Sequence, residues 1–521
     1  MGKISLTCDA MNISVRDRTV ISATVANALG VDLDKTNINQ TTAWRKGKEV
    51  RLEKAKDIIA SYTCPDKVVV HWDGKTFKLR GRIESKRVCI FISGVDEEKT
   101  RKLLGIPETE SGRGVDEFEM VKEYLVKWKV KEQIVGMVFD TTASNSGEHS
   151  GACRYLEVWV DTPILWLACR RHVAELHIGS AMKVIMGTTK DPGVALFRRL
   201  RDQWRDIKID YNDLVISDFS ESPHELRATD MLTWATEQLV KQTFPRDDYR
   251  EMMELVVISL GGQVKGFMFK LPGPDHHARW MSKVIYSLKL KLLSKVFEMT
   301  DEEKTRISQV VDFILLFYAK YWFTTPLAAS AARQDLDFMS GVLEYRVVNS
   351  KLSFAVLSSV YRHLWYLTPQ LIVLALTDKE MEDFSRMAIA SALHGQERQV
   401  VKTGKPTFPI LAHGATMTRN QMSELVGPES WLLFDLLHLN GPSDWLLSPA
   451  SQWHLSPDYM ELDIFTNNLV VVNDLAERGI HLATDFINRL DSEEQREALF
   501  QVVEDFRGRV KNTNKSSLKL C

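Results

Sequence analysis

Three acids stand where phosphoryl-transfer chemistry would need them. Asp73 closes the apolar run of "VVVHWDGK", Asp140 closes that of "GMVFDTTASN", and Glu477 lies in the late segment "NDLAERGIHLATDF". Two carboxylates brought side by side repel each other, and a hard divalent cation such as Mg²⁺ or Mn²⁺ is their natural stabiliser. Two such ions can activate a water and stabilise the leaving oxygen of a phosphodiester, chemistry that usually draws a third acid from a late helix. An isolated Asp at a strand end has an everyday alternative, capping the turn or helix that follows. For Asp140, followed at once by Thr141, Thr142, Ser144 and Asn145, both readings stand at this point.

The elements that must position these residues are legible from periodicity. Residues 12 to 62 read as helices, the first capped by Ser14. The second, "AWRKGKEVRLEKAKDIIASY", carries Arg45, Lys46, Lys48, Arg51, Lys54 and Lys56, expected on a solvated face, with a phosphate-contacting face as the alternative. After Pro65 come short β-branched runs bounded by glycine, then helical spacing in "GVDEFEMVKEYLVKWKV", then "QIVGMVFD" and "PILWLAC" as further strands. Residues 65 to 188 therefore spell β-β-β-α-β-(α)-β-α, a mixed sheet with helices on its faces. From about 190 to 460 strand signals nearly vanish and amphipathic helices follow one another. Two further helices and a polar tail complete the chain. The expected organisation is a helical segment (1–64), the first part of a sheet core (65–188), an all-α insertion (189–460), and a return to the core with the Glu477 helix (461–521).

Composition narrows the function classes. The apolar fraction is 44% and the charged fraction 26%, with 67 basic against 69 acidic residues among 521. Near-neutral charge means that any nucleic-acid contact must use local patches. The most basic window, Lys265 to Lys295, holds seven basic residues and one acid. The six cysteines lack paired spacing, which argues for a reducing compartment and against a disulfide framework or a structural zinc finger. Neither a signal peptide nor a membrane span is expected. "SGRG" at 111–114 lacks the lysine and glycine spacing of a phosphate loop and reads as a turn ahead of a helix.

Taken together, these motifs resemble the hAT-type DNA transposases, across roughly residues 65 to 490. Asp73, Asp140 and Glu477 match that family's first-strand Asp, fourth-strand Asp and late Glu. "CRRH", Cys169 to His172, is similar to its C/D-x-x-H motif, "HHARWMSK" to its Arg-Trp motif, and "AERGIHLA" to the context of its Glu. The resemblance implies an α/β fold, an RNase H-like mixed sheet core interrupted by a large all-α insertion, with a helical N-terminal segment. It implies catalytic and metal-holding roles for Asp73, Asp140 and Glu477 with two Mg²⁺ or Mn²⁺ ions. DNA contact falls to Arg279, Trp280, Ser282 and Lys283, and supporting places near the site to Cys169, His172, Asn145 and Arg478. Transposon ends and target DNA would be the partners, the assembly a homo-oligomer, and the compartment the nucleus. Some features depart from the family. Ala476 and Gly479 replace the usual small polar and aromatic neighbours of the Glu, the second motif reads DTTASN, and no Cys/His set for a BED-type finger precedes the core. A domesticated descendant that binds DNA or protein without catalysis is the alternative.

Overall fold

The computed structural model describes residues 2–79, 84–95, 100–187, 194–241, 244, 246–273, 279–399, 404–412, 415–439, 443–490 and 492–509. Five strands form one mixed sheet: β1 (Val68–Lys78), β2 (Glu84–Ser93), β3 (Lys102–Gly105), β4 (Ile134–Phe139) and β5 (Leu165–Ala168), in the order β3-β2-β1-β4-β5. β2 runs antiparallel to both β1 and β3, while β4 runs parallel to β1. The parallel pair needs a crossover, which α4 (Gly114–Trp128) supplies. α5 (Ala152–Val160) connects β4 to β5. The element order expected between residues 65 and 188 is the one observed.

β1 is the central strand, and its side chains show it. Val68 to Trp72 are all buried, as befits a strand covered on both faces. Beyond Trp72 the pattern turns to alternation, because pairing with β4 stops at His71 while pairing with β2 continues to Lys78. Asp73 consequently does not end its strand, as the sequence suggested. It lies mid-strand, at the point where one of the two neighbours has dropped away.

The chain divides into two compact units, one of residues 1–167, 402–405 and 473–521, the other of residues 168–401 and 406–472. The divisions fall at 167/168 and 472/473, against the 188/189 and 460/461 expected. The first unit holds the sheet together with α1 (Gly2–Ala10), α2 (Val15–Ala28), α3 (Gln40–Ala60), α6 (Asp474–Phe486) and α7 (Glu493–Arg509). Ser14 caps α2, accepting from the Asp17 amide at 3.1 Å. Arg51, read as one of a solvated basic row, is buried instead. It is paired with Asp9 of α1 at 2.8 Å and donates to Gln495 of α7 at 2.6 Å. The N-terminal helices are thereby locked onto the sheet unit rather than forming a body of their own.

The second unit is helical: among the described residues its only β-pairing is a single bridge between Leu327 and Val470. Its interior holds charges in opposite pairs. Arg170 meets Asp335 at 2.5 Å and Arg333 meets Asp378 at 2.6 Å. Among the described residues no helix is long and apolar enough to cross a membrane.

Candidate active site

The register of β1 on β4 brings the first two acids together. Val70 lies opposite Met137 and His71 opposite Val138, so two residues further along come Asp73 and Asp140. The residues just before them agree with that. Trp72 and Phe139 are both buried, and their rings stack with centroids 6.3 Å apart. Side chains alternate across a sheet, so stacked rings at 72 and 139 on one face place the carboxylates at 73 and 140 as neighbours on the other.

Asp140 is held by the polar turn that follows it. Its Oδ1 accepts from the Thr142 amide at 3.1 Å, from the Thr142 hydroxyl at 2.5 Å and from Asn145 Nδ2 at 2.7 Å. Asn145 is buried, and its own Oδ1 accepts from Trp72 Nε1 at 2.8 Å. A chain of bonds thus runs from the β1 tryptophan through Asn145 to the carboxylate beyond β4. All these bonds fall on Oδ1, and none on Oδ2 among the described residues. The two readings of Asp140 are therefore compatible, one oxygen serving the turn and the other left for a ligand.

Glu477 comes from 337 residues beyond Asp140, on α6. Two contacts set that helix against the sheet. Asn473, at its N-terminal cap position, donates to the Trp72 carbonyl at 2.7 Å, beside Asp73. Nearly two turns later Gly479 faces β2, where a Cβ would overlap Cys89 Sγ and come 2.8 Å from Phe91 Cε2. Only glycine admits so close an approach. Leu475, Ile480, Leu482, Ala483 and Phe486 then pack with Phe77, Cys89 and Phe91 in one apolar cluster. Arg478 follows Glu477 on the helix and, like it, is half-buried.

Asp73 is where the negative charges meet. Burial first, then the charges of Asp140, Glu477 and Glu117, push its carboxyl well above the usual carboxylate range, while Lys75 opposes the shift. Glu117 was not anticipated. It lies in the first turn of α4, is buried, and is pushed up to about 7 by burial and then by Asp140 and Asp116. A sequence signal for it did exist. The buried stripe of α4 runs through Gly114, Phe118, Val121, Leu125 and Trp128, and Glu117 occupies a position in that stripe where an apolar residue is expected.

The donor set is all oxygen and suits a hard divalent cation, and one buried oxygen, Glu117 Oε2, has no hydrogen-bond partner among the described residues. As they stand, no three His, Cys, Asp or Glu side chains among the described residues are grouped to hold a metal ion, so a cation would have to draw these carboxylates inward.

The remaining candidates lie in the helical unit. Cys169 is buried at the start of the helix Arg170–Met186, and His172 is half-buried one turn on. Between them the two arginines of "CRRH" carry the contacts. Arg170 is bound to Asp335, Gln334 and two backbone carbonyls, and Arg171 donates to the Tyr249 hydroxyl at 2.8 Å. Arg279 and Trp280 open the helix Arg279–Leu292, but their side chains lie outside the described residues. Ser282 is buried, and Lys283 forms a part-exposed ion pair with Glu175 at 3.3 Å. No protein-family model matches the chain, and no curated protein or solved structure matches it either, so the geometry stands on this chain's own residues.

Proposed function

We propose that the protein is a divalent-cation-dependent polynucleotidyl transferase that cuts and joins DNA strands, similar in plan to the hAT-type transposases. One observation carries this reading. Two acids singled out by motif, Asp140 and Glu477, 67 and 404 residues along the chain from Asp73, act electrostatically on the carboxyl of the third, Asp73. Like charges gathered in a partly buried place are costly for stability and are the mark of a site rather than of architecture. The strand order, with β1 between an antiparallel β2 and a parallel β4, supports an RNase H-like core.

In this reading Asp73, Asp140 and Glu477 hold two Mg²⁺ or Mn²⁺ ions. When bound, such ions supply Lewis-acid activation of a water or a 3′-hydroxyl and stabilise the departing oxygen. The protein's own part is orientation. Thr142 and Asn145 fix the Asp140 carboxylate through one oxygen, Trp72 fixes Asn145, and Asn473 and Gly479 seat the Glu477 helix on the sheet. Arg279 and Trp280 would contact DNA, and the working form would be an oligomer, because two element ends must be joined.

The test is Mn²⁺-dependent nicking of a pool of branched and hairpin-prone DNA by wild type and Asp140→Ala. Nicking should be lost in the variant with the fold intact, by two orders of magnitude or more. Equal nicking by both would move the chemistry elsewhere. A second reading, a transposase-derived binding factor without catalysis, is favoured by the absence of a ready metal-holding group among the described side chains. A wild-type protein that takes up no Mn²⁺ in calorimetry would select it.

A further inference from the structure

We propose that the outward face of α2 is a self-association surface, which pairs antiparallel with α2 of a second copy of this chain about a two-fold axis. This surface would form the oligomer expected above, yet it follows from the packing of α2 alone and from no carboxylate of the site.

α2 is packed inside out. Its buried residues are Arg18 and Ser22. Arg18 donates to the Ala43 carbonyl of α3, and its guanidinium would be only 2.9 Å from a Cβ on Gly47 of the same helix. The outward face carries Val20, Ile21 and Val25, with Leu29 at its end, exposed by 46% for Ile21 and up to 78% for Leu29. At 3.6 residues per turn these four, with the exposed Thr24 and Ala28 among them, fall within about half of the helix circumference. A surface helix normally turns such an arc toward its own core. Here a guanidinium takes the inward place, and the apolar arc is left for another surface to cover.

Charge identifies the occupant. From Thr19 to Val31 the chain has no charged residue, so ionic contacts can form only at the ends of the arc. Arg16 and Asp17 stand before it, and Asp32, Asp34 and Lys35 after it. The Val31 amide bonds back to the Ala26 carbonyl at 3.0 Å, and the turn Leu33–Lys35 packs against α2. Asp17 accepts from the Ser14 hydroxyl at 2.7 Å, and Lys35 pairs with Asp32 at 3.1 Å. Arg16 and Asp34 are left, both exposed and both without an ion-pair partner among the described residues. They carry opposite signs at opposite ends of one arc. Antiparallel pairing of two copies therefore brings each Arg16 toward the partner's Asp34 and closes as an isologous dimer, the same patch on both sides. With the two-fold near Val25, Ile21 packs toward the partner's Leu29. Parallel pairing would instead set Arg16 against Arg16 and align the two helix dipoles.

The experiment is sedimentation velocity of the whole protein over a micromolar concentration series, without DNA or metal. It compares wild type, Val25→Glu, Arg16→Glu, the double variant Arg16→Glu/Asp34→Arg and, as a control on an exposed valine of α4, Val126→Glu. Wild type and Val126→Glu should be dimers. Val25→Glu puts two unpaired carboxylates into the contact and should raise the dissociation constant at least about a hundred-fold. Arg16→Glu should raise it about ten-fold, and the double variant should restore it, because the swapped charges still meet across the two-fold. If Val25→Glu melts early, Thr24→Arg on the same arc takes its place with the same criterion. A monomeric wild type would overturn the proposal, and so would a dimer that survives the substitution on the arc. Dissociation by Val25→Glu without rescue by the double variant would overturn the antiparallel arrangement. The catalytic reading is separate from all of these outcomes, because the nicking test decides it.

Discussion

The interior of the helical unit and the surroundings of Asp73 in the sheet unit treat buried charge in opposite ways. In the helical unit Arg170, 1% exposed at its side chain, meets Asp335 at 2.5 Å, and Asp335 also accepts from the Tyr321 hydroxyl at 3.1 Å. Arg333 meets Asp378 at 2.6 Å and Glu380 at 2.9 Å. Each charge there has a counter-charge, so the arrangement holds helices together and needs nothing further. In the sheet unit Asp73 feels the charges of Asp140, Glu477 and Glu117, all of its own sign, against one opposing lysine, Lys75. A fold that merely needed stability would not gather them. The difference supports the proposed site without reference to any motif.

Breaking a pair is the strongest way to probe that contrast. Asp335→Ala strands Arg170 in the interior and should lower unfolding stability by about 3–5 kcal/mol, read from a shifted denaturant midpoint. A loss under about 1 kcal/mol would mean that the helical unit does not depend on its pairs.

Glu497 is an intermediate case and sharpens the comparison. It is half-buried and hydrogen-bonded, yet burial and then Glu493 push it up to about 7. An acid whose folded value lies above its unfolded value favours folding at low pH. Its contribution is complete below about 4.5 and is lost as pH rises through about 7, on the order of 3 kcal/mol in all. Wild type should therefore weaken between pH 5 and pH 8, and Glu497→Gln should remove that residue's share of the slope. An unchanged slope in urea titrations would show that Glu497 stays ionised throughout.

The smallest effect concerns the contact that seats Glu477. Gly479→Ala places a methyl group against Cys89 and Phe91, and overpacking of this kind costs about 1–3 kcal/mol, against the roughly 1 kcal/mol that alanine gains over glycine in a helix. The net loss should be modest, but α6 should lift from β2 and weaken Mn²⁺ binding together with stability. Full Mn²⁺ affinity in a destabilised Gly479→Ala would separate Glu477 from the cation.

Local chemistry made much of this readable in advance. Apolar runs of period two, helical spacing and Ser14 as a cap are properties of neighbouring residues, so β-β-β-α-β-(α)-β-α and the long helical stretch could be read directly. Asp140 stood out because a polar turn follows an apolar run, and Glu477 because of the residues around it. The sequence by itself determined those elements and that list of acids. Tertiary structure decided which acids meet. Asp73 and Asp140 become neighbours through the β1–β4 register, and Glu477 joins them through Asn473 and Gly479, contacts spanning some 400 residues. It also drew Arg51 inside, placed Cys169 and His172 in the helical unit, and put Glu117 beside Gly74. The physical reason is the same in each case: a side chain's charge and burial depend on what the fold packs against it, and that information is spread along the whole chain.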